Sequence, residues 1–211
     1  MDKKLVFFSF FVISLFFSVQ ASALIIGSSG HNSPNDSIIA APANVNDDKA
    51  SNTYQQGFNE VQNYTLLSDL DVDGGSISAG TLVSSHMIFL NTATTAYAKD
   101  TQEWKFDGLI LGVMSDYNGY LEVASSNFLG NPGTLYPSSG FAARGLEGDP
   151  LSGTENDWYT VSENSLNLYM QVTEPGDWIR VVTAAPVPEP ATFILLGSGL
   201  AGLAFYRKKK K

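Results

Sequence analysis

Three aspartates at alternate positions are the clearest candidates for binding chemistry in this sequence. Asp69, Asp71 and Asp73 precede a glycine, as oxygen ligands do in the first half of a twelve-residue Ca²⁺-binding loop. The twelfth position of such a loop is a bidentate glutamate, whereas here it is Gly80. We therefore predict either a Ca²⁺ site that borrows ligands from elsewhere in the chain, or an acidic turn that leads into a strand.

Aromatic residues next to polar ones are the second candidate for binding. Flat aromatic faces bind sugars when hydrogen-bonding side chains lie beside them. Two predicted loops combine both types of residue, and they supply the candidate carbohydrate residues Tyr117, Tyr120, Trp158 and Tyr159. The alternative is that these rings fill a core, where Tyr and Trp place one polar end against a hydrogen-bonding partner.

The residues that could support catalysis are few. The chain has no Cys and two His, which excludes a cysteine nucleophile and a thiolate zinc site. His86 follows two serines, but a Ser–His pair needs an orienting carboxylate and an oxyanion hole. We expect His86 to be a structural residue bonded to a neighbouring loop. Two pairs of nearby carboxylates fit the acids of a glycosidase only by proximity in sequence: Glu147 with Asp149, and Glu155 with Asp157. We predict no enzymatic activity, with an exported hydrolase as an alternative.

Short strands must position these residues. Apolar runs at 86–90 and 109–114, an alternating segment at 104–106 and a short strand candidate at 121–123 are separated by Gly-, Pro- and Asn-rich turns. Leu166, Leu168, Met170 and Val172 alternate with polar residues, which predicts a half-buried strand. The β-branched run 178–183 follows a Pro-Gly turn, and we expect the two strands to form a hairpin. The pattern predicts an all-β fold, an antiparallel β-sandwich that could be a jelly roll.

The N-terminal residues have the pattern of a secretory signal. Two lysines precede an apolar stretch from Leu5 to Val19, and small residues stand at Ala21 and Ala23. This order predicts export through the general secretion machinery and cleavage by signal peptidase after Ala23.

The C-terminal residues combine a proline motif, an apolar helix and a basic end. The motif consists of Val187, Pro188, Glu189 and Pro190. Its prolines favour an extended and exposed backbone. The uncharged stretch 191–206 predicts a single transmembrane helix, and the closing cations should stay on the cytoplasmic side as a stop-transfer signal: Arg207, Lys208, Lys209, Lys210 and Lys211.

This tail resembles the PEP-CTERM sorting signal of Gram-negative bacteria in the identity and the order of its three parts. The resemblance implies that the tail is recognised and cut near Pro-Glu-Pro by an exosortase, a membrane-embedded partner. It also implies a precursor anchored in the inner membrane, and a mature protein at the cell surface or in the exopolysaccharide matrix.

The sequence thus divides into a signal peptide (1–23), a partly irregular polar leader (24–76), a β-sandwich body (77–186) and a sorting tail (187–211). Residues 24–186 hold five Lys and Arg against 19 Asp and Glu, a formal net charge of −14. Such acidity argues against nucleic-acid binding. We expect a non-catalytic surface or matrix protein that needs no cofactor except an optional Ca²⁺. The alternative is a calcium-assisted module that binds carbohydrate or exopolysaccharide.

Overall fold

A computed structural model describes residues 22–30, 37–94, 96–148 and 157–185. The described residues form strands and one α-helix, which confirms the predicted all-β class. The elements are β1 (Ile25–Gly30), β2 (Gln56–Asn59), β3 (Tyr64–Thr65), β4 (Leu70–Val72), β5 (Gly75–Ile77), β6 (Leu82–Leu90), β7 (Ala98–Phe106), β8 (Ile110–Met114), α1 (Tyr120–Leu129), β9 (Trp158–Ser162), β10 (Ser165–Val172) and β11 (Asp177–Ala184).

The strands form two antiparallel sheets and one small hairpin. The first sheet has the order β1-β7-β10-β9, and the second has the order β2-β6-β11-β8, with β3 also paired to β6. Strands β4 and β5 pair only with each other. The sheets share one core, in which Trp104 and Leu168 of the first sheet belong to the same buried cluster as Ile88 and Val181 of the second.

The second sheet is covered on both faces. On the face turned away from the first sheet, Val83 and Val182 pack with the β4-β5 hairpin and Leu129 of α1. Farther along the same face, Phe89 and Trp178 pack in another cluster with Val45. This double cover explains why β6 and β11 are buried along almost their whole length. In β10 only alternate residues are fully buried, as the sequence predicts.

The last two strands do not form the predicted hairpin. Strand β10 pairs with β7 and β9 in the first sheet, and β11 pairs with β6 and β8 in the second. The segment at Pro175 and Gly176 therefore passes from one sheet to the other. The physical reason is burial: Ile179 and Val181 face the shared core while Trp178 and Val182 lie in the outer clusters, so β11 needs cover on both sides.

Residues 121–123, predicted as a strand, lie in α1. The Asp116 carboxylate accepts hydrogen bonds from the backbone N–H groups of Tyr120 and Leu121 at 2.8 and 2.9 Å. These bonds satisfy two of the free N–H groups at the helix start and favour helix over strand here. Leu129 and the partly buried Leu121 then cover the second sheet.

The sheets begin well before residue 77. Strands β1 to β4 and the start of β5 lie within the segment assigned to a polar leader, and β1 and β2 pair with β7 and β6. Among the residues that the structure describes, no helix has both the length and the apolar character needed to cross a membrane. The predicted signal-peptide hydrophobic stretch, proline motif, transmembrane helix and basic end lie outside the described residues.

Candidate functional site

Three carboxylates from separate parts of the chain meet at one point. Glu147 lies in the loop that follows α1, Asp157 directly precedes β9, and Asp177 begins β11. Each offers an oxygen atom, and the three oxygens lie within 4.8 Å of one another. We call these three residues the acidic cluster.

The backbone fixes the central member of the acidic cluster. Asp157 is fully buried, and its two carboxylate oxygens accept hydrogen bonds from the N–H of Glu147 at 3.1 Å and of Gln171 at 2.7 Å. Asp177 is 1% exposed, and its Oδ2 atom has no hydrogen-bond partner among the described residues. Asp157 is thus held by donors at both oxygens, while one oxygen of the neighbouring Asp177 is buried without a donor among the described residues.

Burial and mutual repulsion disfavour the ionised forms of Asp177 and Glu147. Desolvation raises the pKa of Asp177 well above its usual range, and the charges of Asp157 and Glu147 raise it further. Desolvation also raises the pKa of Glu147 to about 8, with a further contribution from its hydrogen bond and charge interaction with Asp157. A proton on Glu147 or Asp177 neutralises negative charge that no ion pair of the described residues balances.

Two members of this cluster were noticed in the sequence, but they were placed in two separate pairs. Glu147 and Asp157 had each been matched with a near neighbour, Asp149 and Glu155, and both neighbours lie outside the described residues. Asp177 was missed because the sheet pairing, not sequence proximity, brings it to the others. The available signal was a carboxylate at the start of a strand that is otherwise buried along its length.

The predicted Ca²⁺ residues Asp69, Asp71 and Asp73 lie around the β4-β5 hairpin and are not the carboxylates that meet. Asp69 Oδ1 accepts a hydrogen bond from the N–H of Ala79 at 2.8 Å. Asp73 Oδ2 accepts hydrogen bonds from the hydroxyls of Ser115 at 2.7 Å and Tyr159 at 2.9 Å. Burial raises the pKa of Asp73. The Asp73 bonds connect the hairpin to the sheets, and the Asp69 bond closes the hairpin itself.

The four predicted carbohydrate residues separate into two groups. Tyr117 and Tyr120 lie near the start of α1 and are 46% and 60% exposed. Tyr159 is buried, with its hydroxyl on Asp73. Trp158 points to the opposite side of β9 and stacks on Tyr169 of β10, a residue that the sequence did not single out, with ring centroids 6.1 Å apart and an interplanar angle of 18°.

Polar residues surround this stacked pair on the solvent-facing side of the first sheet. The Tyr169 and Tyr97 hydroxyls each lie 3.1 Å from Oε1 of Gln171 and donate hydrogen bonds to it. Asn167 and Thr160, which are cross-strand partners, are exposed beside the pair. We call Trp158, Tyr169, Tyr97 and Gln171 the aromatic face.

His86 is structural, but its partners lie on strands. Its Nδ1 atom lies 2.8 Å from Asn59 Oδ1, its Nε2 atom lies 3.1 Å from Thr183 Oγ1, and its ring packs against Phe106. Burial lowers the pKa of His86 to about 3, so the imidazole is neutral near pH 7.

Both arginines of the described residues lie in one buried charge network on the outer face of the second sheet. Arg180 forms two hydrogen bonds of 2.8 Å to the Glu60 carboxylate and a third, of 3.2 Å, to Glu122. Arg144 forms an ion pair with Glu122 and lies over the Trp178 ring at 5.5 Å. Two positive and two negative charges balance, which suits a structural network.

An open groove of about 740 Å³ lies beside the C-terminal half of α1. Its lining is uncharged and includes Tyr64, Asn127 and Tyr136. The Tyr136 hydroxyl accepts a hydrogen bond from the N–H of Asn131 at 2.8 Å and also bonds Glu60. This ring is therefore held by the protein and is a weaker candidate for a sugar platform than Trp158.

Comparison with known proteins identifies the tail. A family model described as the PEP-CTERM protein-sorting motif matches residues 186–209, which confirms the resemblance drawn from the proline motif, apolar stretch and basic end. No curated protein and no solved structure matches the chain.

Proposed function

Because the chain carries a PEP-CTERM protein-sorting motif, whose processing partner is an exosortase, we propose that it is a surface or matrix protein released by cleavage near Pro188-Glu189-Pro190. The motif supports an exported, membrane-processed surface protein. Under the proposal the mature body is non-catalytic, and the chemistry of cleavage belongs to the exosortase.

The proposal rests on the motif match, and the rest of the chain is consistent with it. The N-terminal pattern directs export, and the apolar stretch 191–206 holds the precursor in the inner membrane until it is cut. The body between the two ends carries a formal net charge of −14. That charge favours solubility and mutual repulsion once the protein is free of the membrane.

Glu189 is the recognition residue to test, because the flanking prolines hold its backbone extended for a processing enzyme. Glu189→Ala should leave export intact and keep the protein in the membrane fraction. Glu103→Ala is the matched control, since Glu103 lies on the first sheet in a weak pair with Lys105 at 3.6 Å, and it should be released normally. Normal release of the Glu189 variant would contradict the proposal.

A second function, carbohydrate binding, is favoured by the aromatic face. A stacked Trp158–Tyr169 pair among hydroxyl and amide groups offers flat apolar surface and hydrogen bonds together. Exopolysaccharide is the ligand that the surface or matrix location would supply. The two functions are compatible, because the sorting tail and the aromatic face occupy different parts of the chain.

A further inference from the structure

The acidic cluster lacks a positive partner. The ion pairs of the described residues involve Lys105, Arg144 and Arg180, and none of them includes Glu147, Asp157 or Asp177. Two of the three carboxylates are fully buried. Buried carboxylates are normally paired or bound to a metal, because removing their charge from water is costly.

The unpartnered Oδ2 atom of Asp177 is a second, independent observation that points to a bound ligand. Both carboxylate oxygens of Asp157 accept hydrogen bonds from backbone N–H groups, which is typical of a structural residue. Asp177 Oδ2 is equally buried but receives no hydrogen bond from the described residues. A buried acceptor without a donor destabilises a fold unless another group satisfies it.

The distances between the three carboxylate oxygens fit a hard divalent cation. Ca²⁺ takes oxygen ligands at about 2.4 Å, so one ion can join oxygens that are up to about 4.8 Å apart. The three carboxylate oxygens lie within 4.8 Å of one another. Ligands that are all oxygen favour Ca²⁺ over zinc, which is usually bound by Cys or His.

We propose that Glu147, Asp157 and Asp177 together bind one Ca²⁺ ion. The ion would neutralise most of the cluster's charge and supply the partner that Asp177 Oδ2 lacks. Water and main-chain carbonyls would complete its coordination, since Ca²⁺ takes six to eight oxygens. This inference does not depend on the proposed sorting function.

The position of the ion would couple it to the aromatic face. Asp157 directly precedes Trp158, and its Oδ1 atom accepts a hydrogen bond from the N–H of Gln171. The Gln171 side chain in turn accepts hydrogen bonds from Tyr97 and Tyr169. The ion would therefore link the loop after α1 to the start of β11. It would also restrict the motion of the ends of β9 and β10 that carry the rings of the aromatic face.

Calorimetric titration of the chelator-treated full chain in detergent with CaCl₂ tests the site. We expect one Ca²⁺ per chain, with a Kd on the order of 10⁻⁴ to 10⁻³ M, as in other extracellular modules. Asp177→Asn and Glu147→Gln should each weaken binding at least roughly tenfold, by about 1.4 kcal/mol. The double variant Asp69→Asn/Asp71→Asn is the matched control, and it should bind Ca²⁺ as the unaltered protein does.

Thermal unfolding with and without Ca²⁺ distinguishes a loss of Ca²⁺ binding from a general loss of stability in a variant. A fixed excess of Ca²⁺ should raise the Tm of the unaltered protein more than that of Asp177→Asn. Without Ca²⁺, Asp177→Asn should be at least as stable as the unaltered protein, because it removes a buried carboxylate. Absence of saturable binding up to about 10 mM, ten times the weakest Kd expected, would overturn the proposal. Undiminished binding by both single variants would do the same.

Discussion

Trp158 and Tyr169 are cross-strand partners on β9 and β10, and their rings stack on the solvent-facing side of the first sheet. The neighbouring Tyr159 points the other way, into the protein, where it is 4% exposed. Two consecutive aromatic residues therefore have opposite roles, because successive side chains of a strand alternate between its faces.

Removing the half-buried Trp158 ring should weaken binding to exopolysaccharide. Trp158→Ala eliminates the stacked surface, and we expect retention of the protein on its host's purified exopolysaccharide to fall roughly tenfold, which is about 1.4 kcal/mol. Pull-down at several polysaccharide concentrations measures the change. Tyr120→Ala is the control, since Tyr120 is exposed but lies near the start of α1, and it should keep full retention. Equal losses in both variants would argue against a role for the aromatic face.

The buried charge network should matter far more to stability than a surface ion pair. Arg180→Met leaves Glu60 and Glu122 without their shared partner, and we expect the free energy of unfolding to fall by about 3 to 5 kcal/mol. Lys105→Met breaks the exposed pair with Glu103 and should cost at most about 1 kcal/mol. Urea unfolding of the two variants makes the comparison, and a similar small loss in both would show that the network contributes little.

His86 should make the fold sensitive to mild acid. In the unfolded chain a histidine takes up a proton near pH 6.5, whereas burial lowers the pKa of folded His86 to about 3. The unfolded state thus binds more protons between these values, so this stability is present above pH 6.5 and is lost as the pH falls towards 3. The loss from pH 7 to pH 5 should be about 2 kcal/mol.

The variant His86→Gln isolates this effect. It lacks the titrating ring, while the only other histidine of the chain, His31, is present in both proteins. Unfolding free energies at pH 7, 6 and 5 should fall more steeply for the unaltered protein than for His86→Gln. Parallel curves would contradict a neutral, buried His86.

The alternation of apolar and polar residues predicted strand β10, which has one solvent-facing side. Strand β10 was recognised because its buried leucines alternate with polar residues such as Asn167, which is exposed. The partner of β11 could not be predicted, because cover on both faces removes the alternation that distinguishes one side from the other. Residues 121–123 were misassigned since their helix depends on a capping carboxylate, Asp116, that precedes it.

The acidic cluster depends on topology, which local patterns do not encode. Asp177 and Asp157 lie close together because the chain passes from the first sheet to the second after β10, and Glu147 joins them from a loop. By contrast, Asp69, Asp71 and Asp73 had suggestive spacing, but Asp69 and Asp73 accept hydrogen bonds that fix the β4-β5 hairpin. The C-terminal motif was recognisable because it is a linear signal, and the match to residues 186–209 confirmed it.

The central claim, exosortase-dependent sorting, is tested most directly by the intact mass of the protein in membrane, surface and medium fractions. Cells with and without the exosortase should be compared. We expect the surface and medium forms to lack residues 1–23 and to end near Pro190, and we expect these forms only when the enzyme is present. An uncut C-terminus in every fraction, or the same cut in cells without the enzyme, would contradict the account.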